Sequence, residues 1–233
     1  AAAELCGTRL IDRDAVWRLL LSAAEKCHAV AEAKGPDPGL DAWIAARGES
    51  LRRFALWCAL TELHGPSWRR WPARLRHPGP RVFPTLEAEH AARMRHHMWL
   101  QWQIDSQLAA TSADVDLVQD LAVGSDPDGA DTWIDEGIYA DDMRIGAPPD
   151  LFNSAGQDWG LPPFNPWRLR EAGYGPFVET IRAGLRHAVG LRIDHVMGLM
   201  RLWWVPQGLG PGAGGYVRYP AADLLAIVAL EAH

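Results

Sequence analysis

The sequence predicts an α/β chain of 233 residues whose helical first half gives way to strands alternating with helices. Two observations predict it. Apolar residues recur at helical spacing in three long stretches before Asp114, and beyond it short apolar runs bounded by Gly, Pro and Asp alternate with helical patterns. A third observation concerns function: the order strand, irregular loop, helix, strand, loop, helix is that of parallel strands, and Asp120 and Asp194 fall at the carboxyl ends of the two strands. Ligands of such folds bind at that end of the sheet, although a strand-end aspartate also caps whatever follows it.

The elements follow in order. From Asp14 to Ala33, Trp17, Leu20, Leu21, Ala24 and Ala31 share one helical face, with Asp14 as N-cap and Gly35 as stop. A second helix is expected from about Glu49 to His64, ending at Gly65-Pro66. A third opens after Pro84-Thr85 and continues to about Ala110. The Pro-, Arg- and Trp-rich segment from Pro66 to Pro84 reads as an ordered surface connection, and Trp203-Trp204 and His96-His97 read as packing and helix-surface residues. Val115, Leu117 and Val118 lead a buried strand that ends at Gln119-Asp120, followed by a loop over Gly124 to Gly129. Asp135 to Trp167 reads as one long irregular stretch dense in Gly, Pro and aromatics; loops of that length in a compact domain are usually functional or disordered, and the aromatic content favours the first. A helix from about Glu171 to Ala188 precedes the strand Val189 to Asp194, and Tyr219-Pro220 starts a last helix from Ala221 to Ala232. The chain divides on this reading into a mainly helical part, 1–110, and a segment of strands and helices, 111–233.

Composition excludes several classes. Hydrophobic residues make up 48% and charged residues 22%, which is globular, and the net charge of −6 gives neither a nucleic-acid footprint nor a basic membrane-binding face. No apolar run reaches the roughly 18 residues that span a bilayer, and Ala1 to Leu10 lacks the features of a signal peptide. Cys6, Cys27 and Cys58 are odd in number and widely spaced, which indicates neither a disulfide framework nor zinc, so a reducing, cytoplasmic setting is expected. No His, Asp or Glu set has metal-ligand spacing, and no metal or cofactor is expected. Twelve Trp outnumber five Phe and four Tyr together; a flat ring with an N–H at its edge suits stacking on a sugar, and equally suits core packing.

Two passages carry a resemblance. They are Gly146-Ala147-Pro148-Pro149-Asp150-Leu151-Phe152 with Gly156-Gln157-Asp158-Trp159-Gly160, and Arg192-Ile193-Asp194-His195-Val196-Met197-Gly198. In this order they resemble the amylomaltases, 4-alpha-glucanotransferases of the alpha-amylase clan, and the strand ending at Asp120, with Asp126 and Trp133, resembles the segment before the first motif. The resemblance implies a partial (β/α)8 barrel with a helical subdomain, acting on maltooligosaccharides and other 1,4-alpha-glucans. It implies Asp194 as nucleophile, Arg192 as its partner, His195 as a donor to a sugar hydroxyl and Asp120 as the sugar-binding aspartate. Asp150 and Gln157 would hydrogen-bond sugar hydroxyls while Trp159 stacks.

The residues by themselves fit that chemistry. Retaining glycosyl transfer needs a carboxylate nucleophile and a second carboxyl group as acid and then base. Arg192 and Asp194, two apart on a strand, point to the same side, where a guanidinium favours the charged carboxylate. The family's acid/base glutamate follows the next strand, and a third carboxylate lies further on; both are expected beyond His233, so the chain is expected to hold about half a barrel and to be inactive by itself. An alpha-glucan hydrolase of the same clan and a non-catalytic glucan-binding fragment remain the alternatives.

Overall fold

A computed structural model describes residues 2–7 and 9–232; Ala1 and Thr8, part of the N-terminal stretch considered above, and His233 lie outside the described residues. The chain forms two compact units, one comprising Ala1–Ala59 with Phe83–Ser106 and the other Leu60–Val82 with Gln107–His233.

The first unit is helical. It contains α1 (Ala2–Cys6), α2 (Arg13–Glu32), most of α3 (Pro38–His64) and most of the long helix that follows Val82. Asp12, not Asp14, caps α2, its carboxylate accepting from the Ala15 amide at 2.9 Å. The apolar pattern over 38–64 is two helices joined at Gly48, whose φ of 63° only glycine adopts cheaply, so helix begins well before Glu49. The long helix α5 begins later in number than the short α4 (Ala73–Arg76) and runs Phe83–Ser112. Ion pairs tie the helices together: Arg95 donates to Glu32 and Asp41 at 3.1 and 2.8 Å, and Asp105 accepts from Trp43 and Arg47. His96 and His97 are buried, at 3% and 8% exposure, and so are not helix-surface residues. Their i,i+3 and i,i+4 neighbours are too mixed to mark a face, since the helix has almost no amphipathic bias.

The second unit holds the strands. The stretch from Pro66 is not a surface connection: Trp68, Trp71 and Leu75 are buried, and the Trp68 and Trp133 indoles donate to Thr132 Oγ1 and the Leu75 carbonyl. Indole edges find partners here, which is what permits such burial. β1 (Val118–Leu121), α6 (Ala130–Ile134), β2 (Met143–Ala147), β3 (Gln157–Asp158), α7 (Pro166–Glu171), α8 (Gly175–Leu185), β4 (Gly190–Ile193), β5 (Arg201–Pro206), β6 (Gly215–Arg218) and α9 (Ala221–Glu231) follow in order.

β1 and β4 form a parallel pair with Asp120 opposite Arg192, and α8 packs on both. The other strands form an antiparallel sheet ordered β3-β2-β5-β6, so parallel pairing alone does not describe the chain. β2 and β3 lie inside the stretch expected to be irregular, and β5 and β6 inside an expected loop. Gly and Pro at or beside their ends interrupt all four, β3 is only two residues long, and adjacent Trp203 and Trp204 put an aromatic on each face of β5, which obscures the two-residue alternation that marks a strand. The expected helix 171–188 is also divided, because Gly173 and Tyr174 both have left-handed φ of 61° and Pro176 starts a new helix. Among the described residues no barrel closes; the architecture is mixed α/β.

The core of this unit gathers Ile145, Leu169, Phe177, Ile181, Leu199, Leu202 and Leu224 around the inner faces of β1 and β4, against which Leu121, Leu191 and Ile193 pack. Truncating the fully buried Ile181 to alanine would cost about 2–5 kcal/mol. That packing fixes which face of β1 and β4 is left for polar side chains.

Candidate active site

Because Leu191 and Ile193 face the core, the alternating positions Arg192 and Asp194 face away from it. Asp120 is the register partner of Arg192, so three charged groups stand side by side. Arg192 donates through Nη1 to both Asp120 oxygens, at 2.7 and 2.5 Å, and through Nη2 to Asp194 Oδ1 at 3.0 Å. The Asp194 amide still donates to the Leu121 carbonyl at 3.2 Å, which ties the backbone of the carboxylate to β1. The hydrogen bond to Asp120, followed by the charges of Asp120 and Asp194, holds the Arg192 guanidinium above its ordinary pKa. Exposed ion pairs add little stability, and these side chains are half-exposed. The arrangement is therefore one of orientation: a fork with a carboxylate on each prong.

His195 follows with φ 48° and ψ 54°, a left-handed conformation at a non-glycine residue, and its carbonyl accepts from the Gly198 amide at 2.7 Å. The turn swings the imidazole toward the loop between β2 and the residues after β3. There Trp159 meets it edge to face, with ring centroids 5.1 Å apart and planes at 83°. The Trp159 indole N–H donates to Gln157 Oε1 at 2.8 Å, and its amide donates to the Ile145 carbonyl at 2.9 Å. Gln157, Trp159 and His195 thus form one contact chain, and Asp120, Arg192 and Asp194 another. They meet at the Asp194-His195 peptide.

Asp150 stands apart. Its Oδ1 accepts from the Phe152 and Asn153 amides at 2.8 and 2.6 Å, so it shapes its own loop while Leu151 and Phe152 at the tip are wholly exposed. Glu231 is engaged elsewhere, paired through both oxygens with Arg182 at 2.6 and 2.9 Å.

Beside the site is a cavity of about 270 Å³ whose lining includes Leu121, Ser125, Asp131, Asp194, His195 and Tyr219. Ser125 donates to Asp131 at 2.8 Å and lies 3.2 Å from the Tyr139 hydroxyl, which burial pushes to a higher pKa. Sequence reasoning did not find this trio, and no spacing signal would have joined residues held together only by the loop after β1. Among the described residues no group of three His, Cys, Asp or Glu side chains converges as a metal site, and no helix is long and apolar enough to cross a membrane.

Comparison with known proteins gives the family of the chain. Residues 1–233 match the model of a family described as 4-alpha-glucanotransferase. The 4-alpha-glucanotransferase of Mycobacterium tuberculosis is 44% identical over 230 residues, covering 96% of this chain and 32% of the relative; that of Haemophilus influenzae is 39% identical over 171 residues, covering 70% and 24%. Amylomaltase from Corynebacterium glutamicum superposes with a TM-score of 0.77 at 35% identity, over 95% of this chain and 30% of that one. Amylomaltase from Streptococcus agalactiae in complex with acarbose, at 18% identity, shares the fold, with a TM-score of 0.82 over 95% of this chain and 48% of its own. The chain spans about a third of the length of the mycobacterial relative. With the family model matched along its whole length, the chain belongs to the 4-alpha-glucanotransferase family.

Proposed function

We propose that this chain is part of a retaining 4-alpha-glucanotransferase that moves a segment of 1,4-alpha-glucan from one maltooligosaccharide to another. The observation that supports it most is the Arg192 fork, which fixes two carboxylates of different role at the ends of adjacent strands. Asp194 attacks the anomeric carbon of the donor sugar, the bond to the leaving oxygen breaks, and a glucosyl ester forms on Asp194. The hydroxyl of an acceptor sugar then attacks the same carbon and releases the carboxylate. The proton given to the leaving oxygen and later taken from the acceptor passes through a second carboxyl group, assigned here to a part of the protein outside this chain. Asp120 accepts from Arg192 through both oxygens, which fits an acceptor of sugar hydroxyls rather than a proton donor.

His195 donates to a hydroxyl of the transferred sugar, Trp159 stacks on a sugar face, and Gln157 and Asp150 bind hydroxyls from the loop. Since the Gln157 carbonyl oxygen accepts from Trp159, its amide N–H groups are what it offers to the glucan. β1 and β4 serve as adjacent strands of a (β/α)8 barrel, a reading supported by their parallel pairing under α8. Residues 1–110 carry the helical subdomain and 111–233 the barrel segment. The protein works on soluble glucans in the cytoplasm, with neither nucleic acid nor membrane as partner.

The test is to incubate the complete protein with maltotriose. Glucose and a ladder of longer maltodextrins should form, and Asp194→Asn should abolish both while leaving glucan binding largely intact. Glucose and maltose without longer products would mean hydrolysis, and would overturn transfer.

A further inference from the structure

We infer that Trp203 is a positioning residue for the glucan loop between β2 and β3, acting through the turn that connects β5 to β6. The inference rests on the transferase reading for its functional half alone. The loop is 148–156, and its tip is wholly exposed, so nothing packed against Leu151 or Phe152 fixes it. Its own hydrogen bonds at Asp150 and Asn153 give it a shape but not a direction. Direction must come from the stem.

At the stem the loop closes on residues 211–213. Gly156 has φ +72°, and a methyl group there would lie 2.8 Å from Pro211 Cβ and 2.8 Å from the Ala147 carbonyl oxygen. A Cβ at Gly212 would lie 3.7 Å from Pro149 Cγ. The two segments therefore touch with no room for a side chain at the closest point. Backbone hydrogen bonds from Ala213 to the Gly210 carbonyl and from Gly214 to the Pro211 carbonyl shape the turn, and the Trp203 indole N–H, donating to that same Pro211 carbonyl at 2.9 Å, ties it to the face of β5. A side chain at Gly214 would run into the Trp203 ring, so the turn is seated on the indole itself.

Trp203 is in turn fixed by Tyr216 across the strand pair, edge to face with centroids 4.9 Å apart, and the Arg201 guanidinium lies 4.6 Å from the Tyr216 ring centre. Its neighbour Trp204 points the other way, into the core with Leu202. Trp203 does not join the core cluster that Trp204 packs against, while its hold on the turn is direct. Gln157 and Trp159 follow Gly156 by one and three residues, so a displaced stem carries both with it. The expected consequence is weaker seating of long glucans with the chemical step untouched.

The experiment uses the complete enzyme with Trp203→Phe, which keeps the ring beside Tyr216 and removes the N–H, and Gly156→Ala, which presses on Pro211 from the other side. Chymotrypsin cleavage at Leu151 or Phe152 should be severalfold faster in both variants, with the melting temperature of Trp203→Phe close to the parent. KM for maltoheptaose should rise about threefold to tenfold, more than for maltotriose, with kcat within twofold. Unchanged cleavage would overturn the anchor. Faster cleavage with unchanged KM for maltoheptaose would overturn the positioning role. A parent enzyme that redistributes no maltodextrin, with cleavage still faster in the variants, would overturn the transferase reading and the positioning role while leaving the anchor standing.

Discussion

Trp159 and His195 meet edge to face across the site, ring centroids 5.1 Å apart, although they belong to a loop and a strand end 36 positions apart in the chain. The contact joins the segment proposed to cover the glucan to the peptide that carries the proposed nucleophile. Trp159 also packs against the core cluster, so its effects on stability and on binding have to be separated. Trp159→Ala should raise KM for maltoheptaose about threefold to tenfold and for maltotriose less, the size of one lost aromatic contact. Equal losses at every chain length, together with a lowered melting temperature, would show that the indole only packs.

Arg192→Lys keeps the charge and loses the fork. An ammonium is a point charge and cannot reach Asp120 and Asp194 in two fixed directions at once. The carboxylate of Asp194 would lose its orienting partner, and kcat should fall on the order of 100-fold with little change in KM. Activity within threefold of the parent would show that Arg192 does not orient Asp194.

The site was legible in the sequence where it depends on position along a strand. Arg192 and Asp194 are two apart, so they share a face, and Asp120 stands one residue before the end of the parallel strand β1; the period and order that place them do not extend to Val115 and Val118, which were read as buried in that strand and are exposed, β1 beginning only at Val118. The engagement of Asp150 by its own loop and the Trp203 anchor on Pro211 were not legible, because each depends on how a turn approaches a segment far away in sequence. In the fold, α2, α5 and α9 were readable from their spacing and stops. β5 was not: Leu202 and Trp204 face the core while Trp203 makes its own contacts on the opposite face, so no polar residue marks the solvent side at the centre of the strand. The buried tryptophans after Pro66 were hidden by the arginines between them: Arg70 is exposed, while Arg69 lies over the Trp68 ring and donates to the Pro127 carbonyl and Asp141.

The helical unit should lose stability in acid. Burial, and then the charge of Arg93, pushes the His96 pKa down to about 4, and burial lowers that of His28, whose ring lies 4.9 Å from it. An unfolded histidine titrates near 6.5, so between 6.5 and 4 the unfolded chain binds protons that the folded chain does not. The stability is complete above about 6.5 and falls as pH falls toward 4. The melting temperature of the parent should decline across that window, and His96→Leu should flatten the decline whatever it does to stability at neutral pH. An unchanged slope in the variant would assign the acid sensitivity to other groups.

The central claim is that Asp194 forms the bond to the transferred sugar. A glucosyl fluoride carrying a second fluorine on the ring forms the ester faster than the ester is released, so the complete enzyme should accumulate a covalent adduct that peptide mass spectrometry can locate. Trypsin cleaves after Arg192 and Arg201, which separates Asp194 from Asp120. The predicted result is one added fluoroglucosyl mass on the peptide from Ile193 to Arg201, absent in Asp194→Asn. The same mass on any other peptide, or on the variant, would contradict the account.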